Sequence, residues 1–324
     1  MFKYSYLALI SISLFLFSCE KKELPAPKYD RGNVITQQVE MASNYKNQVW
    51  YRLSDNSIVS TNNKSDWDLG FETSALGFHI ILNSSKAMKA YKTNFVNLSQ
   101  VTDTVGLGVG GTADFPSGNL DSTAISNWQA INTVYIINRG YNELGQHQGY
   151  YKLKINSVTS SLFTFDYSDL YSLTSFQGIV NKNEDYNFNM YSFTTNQQLT
   201  IEPKKSDYDL CFTQYSHVYY SPIHFYQVTG VLSNNHNTKV MRITDKPFSD
   251  IAISDTLNRV FSVNKNSIGY DWKTFDLNTN LFTVNPNISY IIKDSKGFYY
   301  KLHFIDFYSS SGIKGFPKFE FVKI

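Results

Sequence analysis

The sequence predicts an all-β protein whose mature part holds two antiparallel β units in tandem, and three observations predict it. Phe and Tyr number 24 each in 324 residues while charged residues make up only 17%, a balance that suits pleated, half-buried surfaces better than helices. Short runs alternate at the period of two that a half-buried strand requires: Tyr151, Leu153 and Ile155 against Tyr150, Lys152 and Lys154, then Phe163, Phe165 and Tyr167 against Thr164 and Asp166. The chain also repeats itself. SDWDLGF from Ser65 returns as SDYDLCF from Ser206, VYIINRG from Val134 as SYIIKDS from Ser289, and GYYKLKI from Gly149 as FYYKLHF from Phe298. A period of roughly 145 residues is far longer than a solenoid or propeller repeat, so duplication of a whole unit is expected.

In chain order, the first element is an export signal. Lys3 supplies the basic start, and the run from Tyr6 to Phe17 is apolar apart from a few serines, which is the plan of a secretory leader and too short for a membrane helix. Its end, Leu16-Phe17-Ser18-Cys19, resembles the lipobox of bacterial lipoproteins, so residues 1–18 are expected to be removed and Cys19 to carry lipid. Two or three acyl chains anchor firmly where one does not. The stretch 19–32, with its charges and two prolines, reads as a tether. Unit 1 is expected over 33–171 and unit 2 over 172–324, with the boundary in the Tyr171–Ser175 stretch. Each unit is expected to close with an antiparallel hairpin and one further strand; Lys296-Gly297 supplies the hairpin turn in unit 2 and Arg139 to Gly149 the longer one in unit 1. Long loops are expected from Asn97 to Asn127 and from Asp245 to Lys273, and loops of that length tend to be functional or poorly ordered.

Several function classes are excluded. Net charge is +2 from 29 basic and 27 acidic residues, so no basic excess points to nucleic acid. Cys211 lies in the apolar alternation YDLCF and reads as a buried strand thiol; with Cys19 lipidated, no internal disulfide can form. Gly106 to Gly111 spells G-x-G-x-x-G without a strand-turn-helix around it and reads as a loop. Asp66 with Asp68, and Asp207 with Asp209, could suggest catalytic carboxylate pairs, but their recurrence in both repeats fits a structural task such as bonding backbone groups at a strand start. No cluster has zinc spacing and no serine sits in a nucleophile elbow. An enzyme is not expected.

The aromatic pair Trp50-Tyr51, SDWDLGF with Asn83-Ser84 downstream, and the closing YII and YYKL strands, matched in the second repeat by NMYSF, SDYDLCF, SYIIKDSKGFYYKLHF and FPKFEF, resemble the HmuY family of haem-binding lipoproteins from Bacteroidetes. The resemblance implies two tandem HmuY-like units, lipid attachment at the outer membrane with exposure at the cell surface, and haem capture for a TonB-dependent receptor in an iron and haem acquisition system. Haem iron takes axial ligands such as His nitrogen or Met sulfur between apolar walls. The resemblance places a first ligand nearest Met241 and His236, the expected iron ligands, with Met88 and His147 at comparable places in unit 1. A second ligand is expected just after Trp272-Lys273-Thr274-Phe275, where Asp276 and Leu277 stand, neither of them an iron ligand. His79, His217, His224 and His303 read as strand or loop histidines with structural partners. The alternative is a non-enzymatic surface lipoprotein of the same fold that has lost haem and binds glycan or an outer-membrane partner.

Overall fold

The computed structural model describes residues 32–107, 110–257 and 259–324. Cys19, the leader and the tether up to residue 31 lie outside them, as does part of the Gly106 to Gly111 loop. The described chain is almost entirely antiparallel β. It begins with β1 (Ile35–Gln38), β2 (Asn47–Arg52), β3 (Ser57–Asn63), β4 (Leu69–Glu72), β5 (Ile80–Leu82) and β6 (Lys89–Lys92). After one helical turn, α1 (Trp128–Ile131), follow β7 (Val134–Asn138), β8 (Tyr150–Val158), β9 (Leu162–Asp169), β10 (Phe176–Asn181), β11 (Phe188–Ser192) and β12 (Gln197–Leu199). The rest is β13 (Leu210–Tyr220), β14 (Ile223–Ser233), β15 (Lys239–Ile243), β16 (Lys273–Asp276), β17 (Leu281–Val284), β18 (Ser289–Lys293), β19 (Tyr299–Tyr308) and β20 (Lys314–Lys323).

Sheet order shows how the repeats are assembled. One outer sheet runs β1-β20-β19-β18-β15 and the other β10-β9-β8-β7-β6; the inner sheets run β3-β2-β13-β14 and β12-β11-β4-β5. The two sets correspond strand for strand, but each repeat's opening three strands lie in the other repeat's sheets. The boundary expected near residue 171 therefore does not separate the packed halves. The short turn after β9 sends β10 straight back along it, from Phe176 opposite Tyr167 to Asn181 opposite Leu162, as a brief connection favours. β11 then pairs with β4, β2 pairs with β13, and β1 takes the edge of β20. The packed halves are β4 to β12, contiguous in sequence, and β1 to β3 with β13 to β20. Their cores follow the same division: Leu69 through Phe193 in one, Val39 through Leu53 with Leu210 through Phe321 in the other.

The closing three-strand meanders arise as the alternation predicts, with Leu153, Phe163, Phe165, Leu302, Phe304 and Phe319 buried. Their outer faces are not left to water. Lys152 and Lys301, equivalent in the two YYKL runs, are buried, and each ammonium clamps a loop: Lys152 Nζ donates to the Val101 carbonyl at 3.0 Å, and Lys301 Nζ to those of Phe248, Ser249 and Ile251 at 2.8, 3.1 and 3.0 Å. The long loops thus carry short 3-10 turns, at Leu98–Gln100 and Phe248–Asp250, held down on the sheets.

The repeated S-D-aromatic-D motif holds the exchange together. Asp68 N–H donates to the Tyr191 carbonyl and Asp209 N–H to that of Tyr51, both at 2.9 Å. In return Asp68 Oδ2 accepts from Phe193 N and Asp209 Oδ2 from Leu53 N, both at 2.8 Å. Asn83 and Asn234 repeat one another as well, each bonding two carbonyls of the motif segment beside it at 2.7 or 2.8 Å. Charge separates the two copies. Asp68 meets Lys86 at 2.6 Å and Arg139 at 3.0 Å with all three groups buried. Burial alone would raise its carboxyl, but the two cations hold it below the ordinary value. Asp209 has no such partner, and burial pushes it up to about 6.

Two outcomes follow for stability measured by urea unfolding. Asp68→Asn strands two buried cations and is expected to cost about 3–5 kcal/mol. Asp209→Asn keeps its acceptor and is expected to be neutral or stabilising at pH 7. Because the folded state holds the Asp209 proton up to about 6 whereas the ordinary value is 3.8, the wild type loses stability from this group as pH rises through that window. The Asp209→Asn protein should lack that loss, and an unchanged pH slope would contradict the assignment.

Candidate functional site

The residues singled out as ligands occupy four separate places. Met241, on β15 opposite Ile291, packs among Ile243, Ile251 and Ile291. Met88 is fully buried in the core of β4 to β12. Both are packed thioethers with no open side for a macrocycle. His147 is exposed in the β7–β8 connection with both nitrogens engaged: Nδ1 accepts from Gly149 N at 3.3 Å and Nε2 meets Asn138 Oδ1 at 2.9 Å. His236 sits half-buried in the β14–β15 turn, beside an open cavity of about 190 Å³ lined by Glu72, Tyr186, Phe188 and Lys205 among others. Burial, with the Lys205 charge, holds its imidazole below the ordinary value. Asp276 ends β16, and Leu277, 82% exposed, begins the β16–β17 turn. Among the described residues, no group of three His, Cys, Asp or Glu is placed to hold a metal ion.

A second cavity, of about 90 Å³, lies where the two inner sheets meet, between Trp50, Trp67, Met190, Cys211 and Tyr215. Ligand pockets are commonly about 300–1,000 Å³, so this one is too small for a porphyrin. Its carboxylates are structural. Asp114 accepts from Leu82 N and Ala124 N at 2.6 and 2.8 Å, with burial pushing it up to about 7. Glu202 is raised by burial and bonds Tyr208 Oη, Asn187 Nδ2 and Phe188 N. Asp66 accepts from Asn63 N at 2.9 Å, so Asp66, Asp68 and Asp209 serve backbone, while Asp207 takes the Ser206 hydroxyl at 2.9 Å. Burial pushes the Cys211 thiol up to about 12.

The remaining place is the β13–β14 hairpin, whose eleven-residue strands pair from Leu210 and Ser233 out to Tyr220 and Ile223. Residues directly opposite share a face, so His217 with Tyr226 and Tyr219 with His224 form one face near the tip. A close backbone approach completes it. Val231 and Gly269 exchange hydrogen bonds at 2.9 and 3.1 Å, and a Cβ on Gly230 would come within 2.3 Å of the Gly269 carbonyl; this docks Tyr270 against the hairpin. The His217 ring lies 4.9 Å from those of both Tyr219 and Tyr270, and the His224 ring stacks on Tyr219 at 4.8 Å. Tyr219 is 39% and Tyr226 59% exposed. His217 thus has ring partners, as expected of a strand histidine, while its Nδ1 is buried without a hydrogen bond. Burial holds its imidazole below the ordinary value against the pull of Asp271, which favours the neutral, ligating form. His79 instead meets Glu72 at 2.6 Å, His303 Glu320 at 3.0 Å and His224 the Pro222 carbonyl at 3.2 Å. This face gathers imidazole and tyrosine rings at the surface, whereas Met241 and Met88 are packed inside. The sequence carried the signal in the alternation of HVYYSPIHFY.

Comparison with known proteins adds one family. The model of the family described as HmuY protein matches residues 44–321, across both repeats. Among solved structures, apo PinO from Porphyromonas gingivitis is similar at 9% identity and a TM-score of 0.37, covering 90% of this chain and 98% of that one. An apo HmuY analog from Tannerella forsythia is similar at 10% and 0.26, covering 91% and 98%. A HmuY-like heme binding protein from Bacteroides vulgatus, so described, is similar at 9% and 0.24, covering 90% and 94%. No curated protein matches.

Since the two methionines are core residues, Met88→Leu and Met241→Leu conserve volume and are each expected to cost less than about 1.5 kcal/mol. Spectra of any haem complex should not change in either variant; a shift in one of them would restore that thioether as a ligand.

Proposed function

The chain belongs to the HmuY family, and from that premise we propose that it is a non-catalytic, lipid-anchored protein of the cell surface that binds haem within an iron and haem acquisition system. The observation that carries this reading is the family match across residues 44–321. The engagement of the motif aspartates in backbone hydrogen bonds supports a binding protein over a hydrolase. Cys19 is the proposed lipid attachment point and the outer membrane the proposed site, with a TonB-dependent receptor as the partner to which haem passes.

One observation favours the alternative, a protein of this fold that has lost haem and takes a glycan or an outer-membrane partner. Where the resemblance expects a second ligand, the β16–β17 hairpin presents exposed Phe275, Leu277 and Leu281 instead.

Titration of haem into a soluble form lacking residues 1–31, which keeps all twenty strands, decides between them. A saturable absorbance change distinct from free haem is expected, and a spectrum identical to free haem would transfer the assignment to the alternative. In the full-length chain, Cys19→Ser should move the protein from the membrane fraction to the soluble one.

A further inference from the structure

We propose that the open cavity beside His236 takes an acidic sugar residue, a single ring bearing a carboxylate, with Lys205 and His236 holding the carboxylate and Tyr186 walling the ring. The assignment rests on and deepens the glycan alternative above, and it does not depend on haem.

The cavity forms where three connections meet. The β10–β11 connection brings Tyr186 and Asn187, the β12–β13 connection Lys205, and the β14–β15 turn Asn235 and His236. Hydrogen bonds to main chain and amide groups fix all three. Lys205 N–H donates to the Asp185 carbonyl at 2.8 Å, Asn234 Nδ2 to the Lys205 carbonyl at 2.8 Å, and His236 N–H to Asn234 Oδ1 at 2.9 Å. Asn187 Nδ2 donates to the same Asn234 Oδ1 at 3.0 Å, and Thr73 Oγ1 to the Tyr186 carbonyl at 2.6 Å. The fold thus uses the main chain of Lys205 and His236 and leaves their side chains spare. Among the described residues, neither the Lys205 ammonium nor the His236 imidazole has a hydrogen-bond or ion-pair partner.

The unbalanced charge at this cavity is positive. Glu72 is the one carboxylate among the lining residues, and it is already engaged by Ser74 Oγ, by the Phe78 and His79 N–H groups and by His79 Nδ1. Asp185, beside Lys205 in space, is taken by Lys204 at 2.8 Å. Lys205 is near enough to His236 for its charge to hold the imidazole below the ordinary value, so an anion seated against both relieves that repulsion. Hydrogen bonds from charged donors to a carboxylate are about twice as strong as neutral ones.

Size and wall chemistry narrow the anion. At about 190 Å³ the space is several times the roughly 30 Å³ share of one water, oversized for a lone ion, yet below the roughly 300 Å³ at which drug-sized pockets begin. Its walls combine the Ser74 hydroxyl and the Asn235 amide with the rings of Tyr186 and Phe188, which suits a ring with hydroxyl edges and C–H faces.

The test titrates D-glucuronate into the soluble form lacking residues 1–31 by calorimetry, with D-glucose and inorganic phosphate as comparisons and no haem present. Saturable binding of glucuronate is expected, with glucose and phosphate each weaker by at least about tenfold, since one lacks the charge and the other the ring. Lys205→Ala and His236→Ala should each weaken glucuronate by about tenfold or more while the urea midpoint stays unchanged, because the main-chain bonds remain. Lys205→Arg should recover most of the affinity, a rescue that misfolding cannot produce. A glucuronate-ended oligosaccharide binding more tightly than the free acid would assign the site to the end of a polymer, and the reverse to the monomer; both support it. Phosphate binding as tightly as glucuronate, or unchanged affinity in both alanine variants, overturns the proposal. A carbohydrate array on the same protein reads the glycan alternative separately: neutral glycans captured without acidic ones overturn this site alone, and an array without any capture overturns both.

Discussion

A carboxylate buried at the fourth position of each repeated motif, accepting the N–H of a strand from the other repeat, is the contact on which the remaining architecture depends. It fixes β11 to β4 and β2 to β13, and thereby decides that the repeats interleave instead of folding side by side. A buried carboxylate is costly unless hydrogen-bonded and charge-balanced, and the two copies meet that constraint differently. Asp68 is surrounded by Lys86, Arg139 and three further donors and acceptors of its neighbourhood, whereas Asp209 relies on backbone donation, with burial raising its pKa. Duplication preserved the geometry and let the charge chemistry diverge.

The second constraint is the treatment of the outer faces. A five-stranded sheet with one face on the core would ordinarily show the other to water. Here Lys152 and Lys301 turn their ammonium groups onto loop carbonyls, and the long loops become lids fastened to the sheets. Aromatic side chains are exposed together at the end of the β13–β14 hairpin, where Tyr219, Tyr220 and Tyr226 stand open. Hydrophobic and aromatic side chains exposed together in this way suit an interaction surface.

Much of this was legible in the sequence. Period-two alternation identified β8, β9 and β19, the repeats identified the equivalent elements, and the recurrence of the aspartates pointed to backbone bonding. Strand partners were not legible, because alternation specifies which face a strand buries and not which strand lies beside it. The Tyr171–Ser175 stretch, expected as a boundary, is the tight reversal that carries β10 back along β9. Lys152 looked like the solvated half of an alternation because no local pattern reveals a loop arriving from fifty residues away. Met241 and Met88 satisfied the chemistry of a ligand by type and failed it by burial, a property that single-residue chemistry does not encode. His217, read as a histidine with structural partners, packs against Tyr219 and Tyr270 while its buried Nδ1 has no hydrogen bond.

The interleaving sets an order on events as the chain is made. Strands β4 to β12 are contiguous and can close on one another as soon as they emerge. The other half cannot, since its edge strand β1 is made first and its partner β20 last. Until β20 is available, β1 has no mate, and its unpaired edge is open to pairing with other chains. Completion of the sheet is therefore a signal that the whole polypeptide has arrived, and truncation anywhere near the C-terminus would be felt first at the opposite end of the chain.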